Sequence, residues 1–316
     1  MRAGDYLLPP QNFLGLTSGD AHPASAGVVV LPVPFERTST FGRGSCAGPA
    51  AILAASQQVE LFDVTLGYEP YRAAGGIATL PPWQTEVSDS AVLADNLCQE
   101  VKSWLSRGKF LITLGGEHTS IVGAIWAHCE IHPDLTVLQL DAHSDLRAEY
   151  LGSAWNHACA MARVRDRHES LVQVGVRSQD RSEWELVQKQ QIPVFYAHRI
   201  HQDREGAKDW IAAVIAATRS RVYISLDCDV LDPAIIPATG TPEPGGLTWA
   251  HVDALLARLC REREVLGLDV SELAPVTGLT HPQFTVAKLI YRFLGHRYSI
   301  KGRSDRIGHD KNPDGH

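Results

Sequence analysis

Seven short apolar segments alternate along the chain with stretches of helical spacing, and this alternation restricts the fold more than any other feature. The apolar segments lie at residues 27–31, 110–114, 135–140, 171–176, 192–196, 222–226 and 265–270. Continuous apolar runs of this length are typical of strands buried on both faces. The helical stretches lie at residues 49–60, 90–107, 120–129, 181–190, 203–219, 248–262 and 280–294. The sequence therefore predicts an α/β fold with a mostly parallel sheet covered by helices.

Composition and charge exclude several classes of protein. The 316 residues are 44% hydrophobic and 21% charged, as in an ordinary globular protein, and the net charge of −7 disfavours binding to nucleic acid or to an anionic membrane. No apolar run approaches the roughly 20 residues that cross a bilayer. Early prolines make the N-terminal segment unlike a secretory signal. We expect a cytoplasmic protein with one domain over residues 1–301 and a flexible tail over 302–316.

Polar residues follow four of the predicted strands directly. The segment 110–114 leads into GGEHTS, 135–140 into DAHSD, 222–226 into DCD, and 265–270 into SEL. In a parallel sheet the carboxyl ends of the strands lie at one edge, where ligands bind. We therefore expect these four groups of side chains to meet in one site.

Aspartate and histidine dominate this predicted site. In an extended chain, alternate residues point the same way, which applies to the D-x-H-x-D and D-x-D patterns. With the histidine after the first of these strands, the set comprises His118, Asp141, His143, Asp145, Asp227 and Asp229. Four crowded carboxylates repel one another unless cations neutralise them. Six ligands dominated by oxygen suit two divalent ions of the manganese type, roughly 3.5–4 Å apart. The alternative is that the aspartates cap turns and the histidines pack in the core.

These motifs resemble those of the ureohydrolase family, which comprises arginases, agmatinases and related enzymes that cleave guanidines or amidines. The resemblance runs from about residue 29 to 294 and is carried by GGEH at 115–118, DAHSD at 141–145 and the long segment SLDCDVLDPAIIPATGTPEPGGLT at 225–248. It implies the arginase-like fold, a three-layer α/β/α sandwich around a mostly parallel sheet. It also implies a homotrimer or a homohexamer.

The resemblance assigns the six side chains to two divalent ions, with Mn²⁺ favoured and Ni²⁺ left open. The first ion would be bound by His118, Asp141, Asp145 and Asp227. The second would be bound by Asp141, His143, Asp227 and Asp229. A hydroxide shared by the two ions would attack the guanidinium carbon and release urea and an amine.

The resemblance implies catalytic roles for two further residues. Glu272 matches the carboxylate that binds the guanidinium, whose planar donors it can accept in bidentate fashion. His157 matches the loop histidine that passes a proton to the departing amine, a role that suits imidazole because this group can gain or lose a proton near neutral pH. With four aspartates, two divalent ions and a hydroxide, the cluster has a charge near −1. This charge favours a small cationic guanidino substrate.

The segment 145–164 resembles agmatinases most, so we expect agmatine to be cleaved to putrescine and urea. Glu149 is a candidate partner for the distal ammonium of agmatine. Arg147 would instead favour a carboxylate such as that of guanidinobutyrate, and Ser153 leaves arginine open; free guanidine is a further alternative. Asn156, where we expect Ser or Asp, weakens the agmatine assignment, whereas Ala238, in place of the usual glycine, affects loop flexibility.

Two functions of other classes remain as alternatives. A dinuclear phosphoesterase can use similar aspartates and histidines, but it predicts phosphate-binding Arg or Lys and gives Glu272 no role. A catalytically silent homologue that regulates a partner would bind ligand without turnover. The intact ligand set, with His157 and Glu272, argues against this second alternative.

Overall fold

A computed structural model, which describes residues 6–83, 89–202 and 209–299, contains one sheet of eight parallel strands. The strands are β1 (Val28–Val33), β2 (Ile77–Thr79), β3 (Phe110–Gly115), β4 (Leu135–Leu140), β5 (Leu171–Val174), β6 (Val194–Phe195), β7 (Arg221–Asp227) and β8 (Glu264–Ser271). Their order across the sheet is β2-β1-β3-β8-β7-β4-β5-β6. The predicted three-layer α/β fold is confirmed.

The continuous apolar runs form strands because both faces of the sheet are covered. In β1, Val28 and Val30 pack into one hydrophobic core, whereas Val29 and Leu31 pack into a second core on the opposite face. All four side chains are buried. Burial on both faces explains why β1 lacks the alternation of apolar and polar residues that a one-sided sheet shows.

Ten helices are found in the described residues. They are α1 (Gly48–Ser56), α2 (Pro70–Ala73), α3 (Ser90–Leu105), α4 (Val122–Ile131), α5 (Ala160–Arg165), α6 (Arg181–Gln190), α7 (Ala197–Gln202), α8 (Trp210–Ala217), α9 (Trp249–Glu262) and α10 (His281–Arg297). Helices α3, α4, α5 and α6 contribute to one core, and α1, α8, α9 and α10 to the other. None of these helices is both long and apolar enough to span a membrane.

The structure differs from the predicted elements at a few places. Strand β2 and the short helices α2, α5 and α7 were not predicted, and the helix predicted from residue 49 ends at Ser56 instead of residue 60. Residues 203–208 of another predicted helix lie outside the described residues, and α8 begins at Trp210. The predicted tail, 302–316, and the predicted domain boundary at 301 lie outside them as well.

Candidate metal centre

The four strands with polar ends are neighbours in the middle of the sheet, in the order β3-β8-β7-β4. His118 opens a short 3₁₀ helix that follows β3, and Asp141 comes directly after β4. Asp227 ends β7, and Glu272 follows β8. Because all four strands run parallel, these side chains reach the same edge of the sheet, as the sequence predicts.

Three aspartates surround the imidazole of His118. Its Nδ1 lies 2.9 Å from Asp145 Oδ2, 3.2 Å from Asp141 Oδ2 and 3.4 Å from Asp227 Oδ2. All four side chains are buried. His118, Asp141 and Asp227 each offer one ligand atom, and these three atoms lie within 4.8 Å of one another, close enough to hold one metal ion.

A second cluster shares Asp141 with the first. It joins Asp141, His143 and Asp229, again with ligand atoms within 4.8 Å of one another. His143 Nδ1 lies 3.0 Å from Asp229 Oδ2 and 3.6 Å from Asp141 Oδ1. The six predicted ligand candidates are therefore together, in two groups that meet at one carboxylate.

Local backbone donors hold these carboxylates in place. The Asp141 carboxylate accepts the backbone N–H of His143 at 2.6 Å and the side-chain amide of Gln139 at 2.7 Å. Asp229 Oδ1 accepts the N–H of Ala142 at 3.0 Å. The short loops after the strands therefore fix the positions of the oxygen atoms while leaving other lone pairs free for a cation.

Without cations the cluster is electrostatically unfavourable. Burial disfavours a charged His118, yet the carboxylates of Asp141 and Asp145 raise its pKa well above the usual range. Burial, together with the charges of Asp229 and Asp141, raises the pKa of Asp227 well above its usual range. Buried carboxylates that repel one another in this way are stabilised by divalent ions.

The geometry of His118 supports a metal ligand directly. Its Nε2 lies 3.3 Å from Ser225 Oγ, which donates to Asp269 Oδ1 at 2.9 Å. Its Nδ1 is buried and has no hydrogen-bond partner among the described residues, although it faces three carboxylates. A nitrogen lone pair directed at carboxylate oxygens is stabilised when a cation lies between them. The residues present therefore fit divalent metal ions.

A cavity of about 420 Å³ opens above the two clusters. His143, Asp227, Asp229 and Glu272 line it together with His157. The segments 39–42 and 240–243 also contribute to the lining, and they meet where the N–H of Gly42 donates to the carbonyl oxygen of Gly240 at 3.0 Å. A molecule in this cavity could therefore contact both the metal clusters and these two loops.

Glu272 and Asp145 have unusual backbone conformations. Their φ angles are 62° and 53°, in the left-handed region that side chains other than glycine rarely adopt. Glu272 Oε1 accepts the backbone N–H of His118 at 2.7 Å. Burial raises the pKa of Glu272 to about 8. Strained backbone of this kind is concentrated at functional sites, where it directs a side chain toward a ligand.

The structure also locates the remaining predicted site residues. Arg147 lines the cavity, stacks on the Tyr150 ring at 4.7 Å and lies 3.9 Å from the carboxylates of both Asp180 and Glu183. Glu149 is exposed, and Ser153 Oγ accepts the backbone N–H of Trp155 at 3.1 Å. Unlike Arg147, these last two residues are not among those that line the cavity.

The two departures from the family pattern have simple structural explanations. The Asn156 side chain accepts the N–H of Ala158 at 3.2 Å and so caps the 3₁₀ turn that contains His157, as Ser or Asp would. Ala238 is buried, and its φ is outside the left-handed region. Alanine is therefore accommodated at this position without the conformational freedom of glycine.

Residues 26–295 match the sequence profile of the arginase family. The chain belongs to the arginase family. This membership confirms the resemblance seen in the sequence. Enzymes of this family depend on two metal ions, in agreement with the two clusters around Asp141.

Several relatives of this chain are named ureohydrolases. The N(1)-aminopropylagmatine ureohydrolase of Thermus thermophilus is 40% identical over 276 residues, which cover 87% of this chain and 92% of the relative. The Synechocystis enzyme of the same name is 36% identical, and the match covers 86% of this chain and 90% of that enzyme. The crystal structure of the agmatine ureohydrolase of Thermoplasma volcanium superposes with a TM-score of 0.81 at 29% identity, over 94% and 97% of the chains.

This arginase-family chain is thus a hydrolase of C–N bonds in linear amidines, as predicted. Hydrolysis of a guanidino group is supported at the level of the family. The phosphoesterase alternative has no support from these comparisons.

Proposed function

We propose that this enzyme hydrolyses the guanidinium group of N(1)-aminopropylagmatine to urea and a triamine. The observation that carries this substrate is the 40% identity, across nearly the whole chain, to the Thermus ureohydrolase of that name. Agmatine, which the sequence favours, is the second candidate, supported by the likeness to the Thermoplasma enzyme. Its products would be putrescine and urea.

The two clusters supply the proposed metal ligands. His118, Asp141, Asp145 and Asp227 would hold one ion, and Asp141, His143, Asp227 and Asp229 the other. Oxygen-rich ligand sets of this kind suit Mn²⁺. When bound, two such ions supply a nucleophile near neutral pH by lowering the pKa of water.

Two side chains in the cavity would act on the substrate itself. Glu272 would accept N–H donors of the guanidinium and hold its central carbon above the clusters. A cation paired with Glu272 also keeps this half-buried carboxylate ionised, against the effect of desolvation on its pKa. His157 would donate a proton to the amine nitrogen as the C–N bond breaks.

Other side chains that line the cavity favour a substrate with further positive charge. The Arg147 guanidinium is balanced by Asp180 and Glu183, which makes it a poor partner for a substrate carboxylate. Glu243 lines the same cavity, and within residues 6–83, 89–202 and 209–299 its carboxylate is in no ion pair. We infer that Glu243 binds a distal ammonium group. The exposed position of Glu149 makes it the weaker candidate.

A urea-release assay tests this proposal. The full-length enzyme, loaded with Mn²⁺ or Ni²⁺, is supplied with N(1)-aminopropylagmatine, agmatine, arginine, guanidinobutyrate, guanidinopropionate or guanidine. The highest kcat/KM is expected for N(1)-aminopropylagmatine. A preference for guanidinobutyrate or arginine would contradict a cavity that selects cationic substrates, and absence of turnover with two metals bound would favour a silent homologue.

A matched variant tests the proposed role of Glu243 separately. Glu243→Gln keeps the size of the side chain but removes its charge, so KM for N(1)-aminopropylagmatine should rise about tenfold, as expected for a lost hydrogen bond to a charged group. For free guanidine, which has no distal ammonium, KM should stay unchanged. Equal effects on both substrates would exclude Glu243 as the distal site.

We also propose that the enzyme assembles as a homotrimer or a homohexamer. The proposal rests on the resemblance to the arginase family, because members of this family are typically oligomeric. Light scattering coupled to size-exclusion chromatography tests it. A mass three or six times the 34.5 kDa of the chain is expected, and a monomer or dimer would contradict it.

A further inference from the structure

A buried glutamate lies behind the loop histidine of the cavity. Glu117, in the GGEH motif, is 0% exposed. Its Oε2 accepts the backbone N–H groups of Arg37 at 2.8 Å and Thr38 at 2.6 Å. Its Oε1 accepts the hydroxyl of Thr38 at 3.1 Å and the hydroxyl of Thr119. With all four of these donors directed at it, the carboxylate acts purely as an acceptor.

Thr38 connects this carboxylate to His157. Thr38 Oγ1 accepts the backbone N–H of His157 at 2.8 Å and lies 3.2 Å from His157 Nδ1. A hydroxyl has one hydrogen, and that of Thr38 is directed to Glu117. Toward the imidazole, Thr38 Oγ1 can therefore only accept a hydrogen bond, which requires a hydrogen on Nδ1.

We propose that Glu117, acting through Thr38, fixes the tautomer of His157 and makes Nε2 its proton-transfer atom. In the neutral imidazole Nδ1 carries the hydrogen and Nε2 is bare; in the imidazolium Nε2 carries the proton that is passed on. Glu117 and Thr38 are positioning residues, since they act through His157. The inference rests on the proposed role of His157 in the hydrolysis.

The arrangement suits repeated proton transfer. The hydrogen bonds from His157 through Thr38 to Glu117 form a relay. Thr38 Oγ1 accepts the Nδ1 hydrogen in both protonation states of His157, so this relay does not have to rearrange when Nε2 gains or loses its proton. The edge of the His157 ring also faces Tyr150, with ring centroids 6.2 Å apart at 89°. Contacts on two sides therefore hold the ring in one orientation.

Three variants separate the relay from a purely structural role. Thr38→Val keeps the shape of the side chain but removes the acceptor. Thr38→Ser keeps the hydroxyl and should behave like the wild type. Glu117→Gln reverses the relay: its amide group would donate to Thr38, leave the Thr38 hydroxyl hydrogen free for Nδ1, and so move the imidazole hydrogen to Nε2.

Solid-state NMR of the full chain labelled with ¹⁵N-histidine reports the tautomer directly. Mg²⁺ serves as a diamagnetic ion, and the His157 signals are assigned by their loss in His157→Gln. We expect an N–H at Nδ1 in the wild type and in Thr38→Ser, a mixture in Thr38→Val and an N–H at Nε2 in Glu117→Gln. Neutral His157 with its hydrogen on Nε2 in the wild type, or the same tautomer in all variants, would overturn the inference.

Kinetics with Mn²⁺ provide the second measurement. For Thr38→Val, kcat for urea release should fall about ten- to a hundredfold, the equivalent of a hydrogen bond to a charged group, with KM unchanged. Thr38→Ser should restore most of the rate. An equal fall of kcat in Thr38→Val and Thr38→Ser would instead indicate that Thr38 has a structural role. Because NMR requires no turnover, the relay and the proposed substrate can fail independently.

Discussion

Glu272 combines partial burial, a left-handed backbone conformation and a place in the cavity beside the clusters, so replacing it by glutamine has two separable consequences. The variant keeps the size of the side chain and the oxygen that accepts the His118 N–H, but it has no charge. In the metal-loaded enzyme, guanidinium binding loses its charge-assisted hydrogen bonds. We expect kcat/KM to fall at least about a hundredfold while both metals stay bound.

The second consequence concerns the stability of the metal-free protein. Burial raises the pKa of Glu272 from 4.5 to about 8. Between these values the folded state retains a proton that the unfolded state releases, so wild-type stability falls as the pH rises through this window. At about 1.4 kcal/mol for each pH unit, the upper limit of this loss is about 5 kcal/mol. Since the cavity admits water, we expect about half of this value.

Urea unfolding of the metal-free wild type and Glu272→Gln, at pH 5 and pH 9, measures the effect. At pH 5 the two free energies of unfolding should agree within about 1 kcal/mol. At pH 9 the variant should be the more stable by about 2–3 kcal/mol. Equal stability at both pH values, or near-normal turnover by the variant, would refute the proposed environment and role of Glu272.

Three further outcomes follow from the same site. Asp227→Ala should leave fewer than two metals per chain by elemental analysis, and two tightly held metals would refute its role as a ligand. Chelation of the metals should lower the free energy of unfolding by about 4 kcal/mol for each ion present at a thousandfold excess over its Kd, so an unchanged Tm would contradict metal binding. In Gly42→Ala the new Cβ would lie 2.7 Å from the Gly240 carbonyl oxygen and would push the two loops apart. We expect KM to rise about tenfold, as for the loss of one hydrogen bond. An unchanged KM would show that the loops adapt.

Most of the sheet could be predicted from the sequence because its central strands are apolar on both faces. Strand β2 could not, since its three residues, Ile77–Thr79, are too few to show a period. Their pairing with Val28, Val29 and Val30 identifies them as a strand. Such edge strands depend on tertiary contacts that local patterns do not contain.

The predicted ligand residues come together because parallel topology brings every strand end to one edge. The relay behind His157 gave no comparable signal, because Thr38 lies 79 residues from Glu117 in a polar loop. The predicted substrate contacts came from the resemblance of segment 145–164 to agmatinases and arginases. However, a tight turn at Leu151 and Gly152, both with positive φ, reverses the chain between Tyr150 and Ser153. Glu149 and Ser153 therefore remain predictions.

Anomalous diffraction from crystals of the full chain grown with Mn²⁺ tests the two-metal site most directly. Two manganese peaks are expected at the carboxyl ends of the central strands, with the Asp141 carboxylate contacting both. His118 should ligate one ion and His143 the other. A single peak, an empty site at saturating Mn²⁺, or the six side chains turned away from one another would contradict a binuclear centre.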